Sequence, residues 1–128
     1  MSVRVVRLGA PRSPGEGTRI GTVRRPPRGV PREEFASRDY YDVWFPTLAP
    51  SAETVKLGQA AETERAWSRF EKAYRKEMKE PAARHALALL AALSHDTDFS
   101  VGCYCEDEAR CHRSVLRELL VEAGAEVG

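Results

Sequence analysis

The stretch from Asp98 to Gly124 constrains this chain more than any other. Asp98-Phe99-Ser100-Val101-Gly102-Cys103-Tyr104-Cys105 is short, apolar and free of helical period, so it reads as an interior strand. An acidic turn follows at Glu106-Asp107-Glu108. Beyond it Cys111, His112, Val115, Leu116, Leu119, Leu120 and Ala123 recur on one helical face, and Gly124 supplies the stop. A buried strand that leads into an amphipathic helix places that helix against a sheet. The chain is therefore expected to be α/β, a sheet with helices packed against it. At 128 residues it is expected to be one domain over 1–128.

The rest of the chain supplies partners for that unit. Val3, Val5, Val6 and Leu8 form a β-branched run stopped by Gly9 and Pro11, which predicts a first strand. Residues 9 to 32 hold five of the nine glycines and five of the eight prolines, so this stretch is a long loop. Ile20 to Val23 predicts a brief strand inside it. Tyr40-Tyr41-Asp42-Val43-Trp44-Phe45 is aromatic, ends at Pro46 and predicts another strand. Ser51 is placed to cap a helical turn. Ala66, Trp67, Phe70, Ala73, Tyr74 and Met78 recur at helical spacing between Glu62 and Lys79. Pro81 suits the first turn of a further, largely buried helix lined by Ala83, Leu87, Leu90 and Leu93.

Charge is unevenly distributed. Up to residue 38 there are nine arginines, no lysine and three glutamates, a local charge of +6 in a chain of net +1. Arginine favours planar, bidentate recognition of phosphate or carboxylate. In Arg24-Arg25-Pro26-Pro27-Arg28-Gly29 two prolines restrict the backbone, so Arg25 and Arg28 are the first candidates for an anion site. A solvated surface loop is the plain alternative. Nucleic-acid binding by the same arginines is a further alternative. No apolar run reaches the length of a membrane helix and the first residues lack a signal-peptide core, so a cytoplasmic protein with no membrane partner is expected.

The chemistry concentrates at Cys103, Cys105, Cys111, His112 and Arg113. Three cysteines within nine positions suit a chemical site better than a disulfide framework. If the last helix starts near Arg110, Cys111 sits at its positive end, where a thiolate is stabilised. Cys111 is then the candidate nucleophile, His112 its acid or base, and Arg113 an anion clamp. Asp42 is a candidate partner carboxylate. A zinc site of Cys103, Cys105, Cys111 and His112 competes. Its spacing departs from Cys-x₂₋₄-Cys, and neighbouring helical side chains diverge by about 100°, so Cys111 and His112 are not expected to share an ion. The cysteines as small core residues form the third reading. No cofactor is expected under the first and third readings. The expected ligand is a small anion, a nucleotide or a phosphorylated metabolite.

Four stretches carry a family resemblance: RRPPRGVPREEF, YYDVWFPTLAPS, WSRFEKAYRKEM and GCYC followed by CHRSVL. Together they resemble the domain of unknown function 488 family, from about Val3 to Gly124. The resemblance implies an α/β fold, a single Rossmann-like three-layer domain with a small, mostly parallel sheet flanked by helices, and no particular reaction. It also implies that the Pro27-Arg28-Gly29 and Ala49-Pro50-Ser51 motifs belong to the fold or a shared site, and that Cys111-His112-Arg113 belongs to a subgroup's chemistry.

Overall fold

The structure, a computed structural model, describes residues 1–128. Four strands form one all-parallel sheet: β1 (Val3–Arg7), β2 (Thr18–Gly21), β3 (Val43–Trp44) and β4 (Phe99–Cys103), in spatial order β1-β4-β2-β3. β4 lies in the middle, as its apolar sequence requires, with Val101 paired to Val5 on one side and Ile20 on the other. All five of its residues are buried. The outer edge of β1 gains a single parallel bridge from Val3 to Val127.

Four helices complete the fold: α1 (Ala52–Ala60), α2 (Glu64–Glu77), α3 (Pro81–Leu93) and α4 (His112–Glu122). Their starts are locally encoded. Ser51 accepts from the Thr54 N–H, and Thr63 from the Ala66 N–H, so each satisfies an orphan donor of its helix. Pro81 occupies the first turn of α3. The main core joins Val3, Phe99 and Val101 of the sheet to Trp67, Phe70, Tyr74, Leu87, Leu90, Val115, Leu116 and Leu120 of the helices. No helix is long and apolar enough to cross a membrane.

The alternation along the strands separates two faces. Val3, Val5, Phe99, Val101 and Ile20 pack with the helical core. Arg4, Arg19 and Ser100, one residue out of phase, are paired in register on the other face. That face is covered by the Gly/Pro-rich loop rather than by a helix, which makes the third layer. Arg19, only 1% exposed, donates to both Glu16 carboxylate oxygens (2.7 and 2.9 Å) and to the carbonyls of Ala10 and Asp39. Ser100 donates to Glu16 as well, at 2.8 Å. Gly17, at φ 78°, runs so close to the Asp98 carbonyl that an added Cβ would sit 1.9 Å from its oxygen. The loop is long because it builds this cover.

Three expectations need correction. The strand predicted over Tyr40–Phe45 is reduced to Val43–Trp44. The chain turns at Asp39 (φ 62°), and Tyr41 leaves the sheet to pack its ring over Gly21, where a Cβ would lie 2.4 Å away. The β4 strand ends at Cys103, not Cys105, and Cys105 is exposed. Leu93, expected on the buried side of α3, is exposed together with Leu89.

Candidate functional site

Three chain segments converge beyond the carboxyl end of β4. Cys103 is its last residue. A short 3-10 turn, Glu108–Arg110, leads into Cys111, which is the N-cap of α4. Thr22 leaves the end of β2 and is fully buried.

Cys111 has extended backbone angles (φ −134°, ψ 154°), so it lies outside the helical spiral. The 100° divergence expected between neighbouring helical side chains therefore does not apply to Cys111 and His112, which corrects the expectation that they diverge. The Cys111 Sγ lies 3.8 Å from His112 Nδ1. The ligand atoms of Cys103, Cys111 and His112 all fall within 4.8 Å of one another, and all three residues are buried. This cluster could hold a metal ion. Cys105 joins it from the exposed side, its Sγ 3.7 Å from that of Cys103. The strand has ended at Cys103, so it is the turn beyond β4 that brings the two sulfurs together.

The imidazole is fixed from behind. His112 Nε2 lies 2.9 Å from the Thr22 carbonyl oxygen, which can only accept, so Nε2 carries a proton and Nδ1 faces the sulfur. The Tyr74 ring packs edge-on against the imidazole at 5.4 Å, and its hydroxyl donates to the Leu48 carbonyl. The three thiols share their charge unequally. Hydrogen bonds from Cys103 and Cys105 push the Cys111 thiol far down against the opposing effect of burial, and His112 adds to this. Cys103 is pushed far up by its contacts with Cys105 and Cys111 and by burial. Cys105 is lowered by Cys103 but raised more by Cys111 and burial together.

This floor opens into a cleft of about 890 Å³, within the usual range for small-molecule sites. Cys103, Cys105, Cys111 and His112 line it, and so do Arg24, Arg25, Pro26, Pro27 and Arg28. The arginine loop and the cysteine segment, far apart in sequence, thus share one pocket. Tyr104 ties them, donating its hydroxyl to the Arg25 carbonyl at 2.9 Å. Lys56 and Arg110 add to the positive lining, and no carboxylate is part of it. The acidic turn faces elsewhere: Glu106 pairs with Arg7 and Glu108 with Arg117.

The far wall is built by α1 and α2, whose buried junction is polar. Glu77 accepts from the Ser51 N–H (2.9 Å) and the Thr54 hydroxyl (2.6 Å). Burial alone would raise this carboxyl, but the hydrogen bonds from Ser51 and Thr54 hold it below its usual range. The Ala49-Pro50-Ser51 motif thereby has a structural task, while Pro50 reaches the cleft.

Two predicted site residues are placed differently from the rest. Arg113 is 3% exposed and absent from the lining; it donates to the Cys105 carbonyl, and its Nε has no partner. Asp42 pairs with Arg12 at 2.8 Å and accepts from the Arg19 N–H, also at 2.8 Å. Other residues of the cleft give no sign of that role in the sequence. Trp67 and Phe70 read correctly as core and are also cleft wall. The Arg110 guanidinium stands 5.5 Å over the Trp67 ring. Thr22 holds His112 through a backbone carbonyl, for which no sequence signal exists.

The family whose model matches the chain, over residues 3–124, is described as the active DUF488-N3 subclade. No curated protein and no solved structure matches it.

Proposed function

The chain belongs to the DUF488 family, and on that premise we propose that its cleft binds a small anionic ligand, a nucleotide or phosphorylated metabolite, over the Cys111–His112 pair. The observation that carries this reading is the common lining. Arg24, Arg25, Arg28, Lys56 and Arg110 surround the cleft with positive charge and no carboxylate is among its lining residues, although Arg110 is partly offset by Glu64 at 3.3 Å. Enclosure strengthens their attraction for an anion relative to open solvent. The aromatic rings of Trp67, Phe70 and Tyr104 provide apolar area for the ligand's non-phosphate part. In this reading Cys111 acts as nucleophile and His112 Nδ1 exchanges its proton, on a ligand held by Arg25 and Arg28. Arg113 would serve indirectly, by bracing the Cys105 turn.

Calorimetric titration with nucleoside mono- and triphosphates at low salt tests the reading. Binding with one site per chain, weakened about tenfold by Arg25→Glu, is the expected result, since a charge-assisted hydrogen bond contributes about 1.5–3 kcal/mol. No binding at low salt overturns it. Tighter binding of an oligonucleotide, with steep salt dependence, would replace it with the nucleic-acid reading.

A second reading has its own observation, the convergence of Cys103, Cys111 and His112. In it the floor of the cleft holds a zinc ion. Metal analysis of purified protein is expected to find close to one zinc per chain, and clearly substoichiometric zinc removes this reading.

A further inference from the structure

Of the three thiols and one imidazole gathered at the cleft floor, three groups are buried and one, the Cys105 thiol, is exposed. Resting on the zinc reading of the cleft floor, we propose that Cys103, Cys111 and His112 form three fixed ligands of a zinc-class cation, and that Cys105 is its fourth, exchangeable ligand facing the cleft.

Tetrahedral zinc has bonds of about 2.3 Å to sulfur and 2.0–2.1 Å to nitrogen, so neighbouring ligand atoms lie about 3.5–3.8 Å apart. The Cys103–Cys105 sulfur pair at 3.7 Å and the Cys111 Sγ–His112 Nδ1 pair at 3.8 Å match two opposite edges of such a tetrahedron. The buried trio lies within 4.8 Å, so its widest pair closes by up to about 1 Å on binding, and Cys105 reaches the trio through Cys103. The donor set selects the ion class. Three sulfurs and one imidazole suit zinc and exclude calcium and magnesium, which take oxygen. His112 is prepared as metal-bound histidines usually are, with its far ring N–H on a backbone carbonyl, here Thr22.

The four ligands are not equivalent. Cys103, Cys111 and His112 are buried and come from rigid positions: the end of a central strand, a helix N-cap and the first residue of that helix. Cys105 is exposed, lies past the end of β4 and lines the cleft beside the arginine loop. Catalytic zinc sites keep three protein ligands and one position that water or substrate can take. Here that position is occupied by the one ligand able to move into solvent. Exchange breaks the bond from the metal to the Cys105 sulfur and forms one to an entering oxygen donor. The released thiolate takes a proton from water. An anion drawn in by Arg25 and Arg28 arrives beside this position.

Cobalt(II) titration of the reduced full-length chain tests the proposal, because thiolate-to-cobalt absorption grows with the number of bound sulfurs. Wild type is expected to bind one cobalt with tetrahedral visible bands that zinc bleaches. The exposed Cys105→Ser variant, its fold checked by circular dichroism, is expected to keep one cobalt and lose about one-third of the thiolate band, as three sulfurs become two. Inorganic phosphate added to wild type should produce the same kind of loss. Absence of tetrahedral cobalt bands in wild type overturns the metal reading itself. Tetrahedral bands with a thiolate band unchanged in Cys105→Ser overturn the fourth-ligand proposal and leave the three-residue site standing. A band unaffected by phosphate at saturating concentration overturns exchange by an oxyanion.

Discussion

The protein buries two polar clusters, one on each side of its sheet, and they are built on opposite principles. Around Arg19 four donated bonds meet Glu16, Ala10 and Asp39, and the Glu16 carboxylate also accepts from Ser100 and the Ser13 N–H. Every charge there has its partner inside the protein. Around Cys111 the sulfurs and the imidazole Nδ1 chiefly face one another, and they open on a cleft. A buried charge that is fully paired holds a fold together. Buried donors that converge with capacity left over can take an external partner. Arginine occurs in both settings, so residue type alone does not distinguish them.

The sharpest way to break this comparison is to remove one ion of the first cluster. Arg19→Ala leaves Glu16 buried without its guanidinium, and the expected loss is about 3–5 kcal/mol of stability, measured by urea unfolding. A loss below about 1 kcal/mol, the range of an exposed pair, would mean that the cluster is dispensable.

Acid provides a gentler probe of the same pair. Burial would raise the Glu16 carboxyl, but bonds from Arg19, Ser100 and the Ser13 N–H outweigh it and lower the value from 4.5 to about 2. Because the folded value lies below the unfolded one, this contribution is complete above about pH 4.5 and is lost as pH falls toward 2. The span corresponds to about 3 kcal/mol from this group. Asp42 and Glu77, also lowered, add to the same acid sensitivity. Thermal melts from mildly acidic solution down toward the folded Glu16 value should show it in wild type. They should show much less in Glu16→Gln, whose own starting stability is lower.

On the cleft side the signs reverse. The double variant Arg25→Glu, Arg28→Glu changes surface-accessible residues, so its melting temperature should stay near wild type while nucleotide affinity falls at least about tenfold. Stability and binding lost together would place the loop in the fold instead. The smallest effect is expected for Cys105→Ser without metal: within about 0.5 kcal/mol, as for an exposed residue whose one sulfur contact, to Cys103, a hydroxyl can replace. A larger loss by urea unfolding would assign Cys105 to packing.

Much of this was legible from the amino acids. The Asp98–Gly124 stretch carries the strand-to-helix unit, and β4 and α4 occupy nearly the positions its pattern marks. Ser51 and Pro81 mark helix starts because capping and a fixed φ are local effects. The aromatic run after Tyr40 misled, since strand propensity cannot register that Tyr41 is needed over Gly21. The cluster of nine arginines could not be divided either. Arg12 and Arg19 serve Asp42, Asp39 and Glu16, whereas Arg24, Arg25 and Arg28 face the cleft. Their identical side chains have no preference until a carboxylate is or is not nearby.

The amino acids alone dictated the α/β class, the helix starts, and the presence of thiols, an imidazole and arginines suited to an anion or a soft metal. Each of these rests on interactions over a few residues or on side-chain chemistry alone. Packing in three dimensions brought the arginine loop and the cysteines into one cleft. It also turned Cys111, through an extended N-cap, toward His112 and Cys103, and pointed the acidic turn away. Those outcomes depend on β2 lying beside β4, which brings Thr22 to His112 across 90 positions of sequence. Contacts at that separation are fixed by how the layers pack, and no local pattern encodes them.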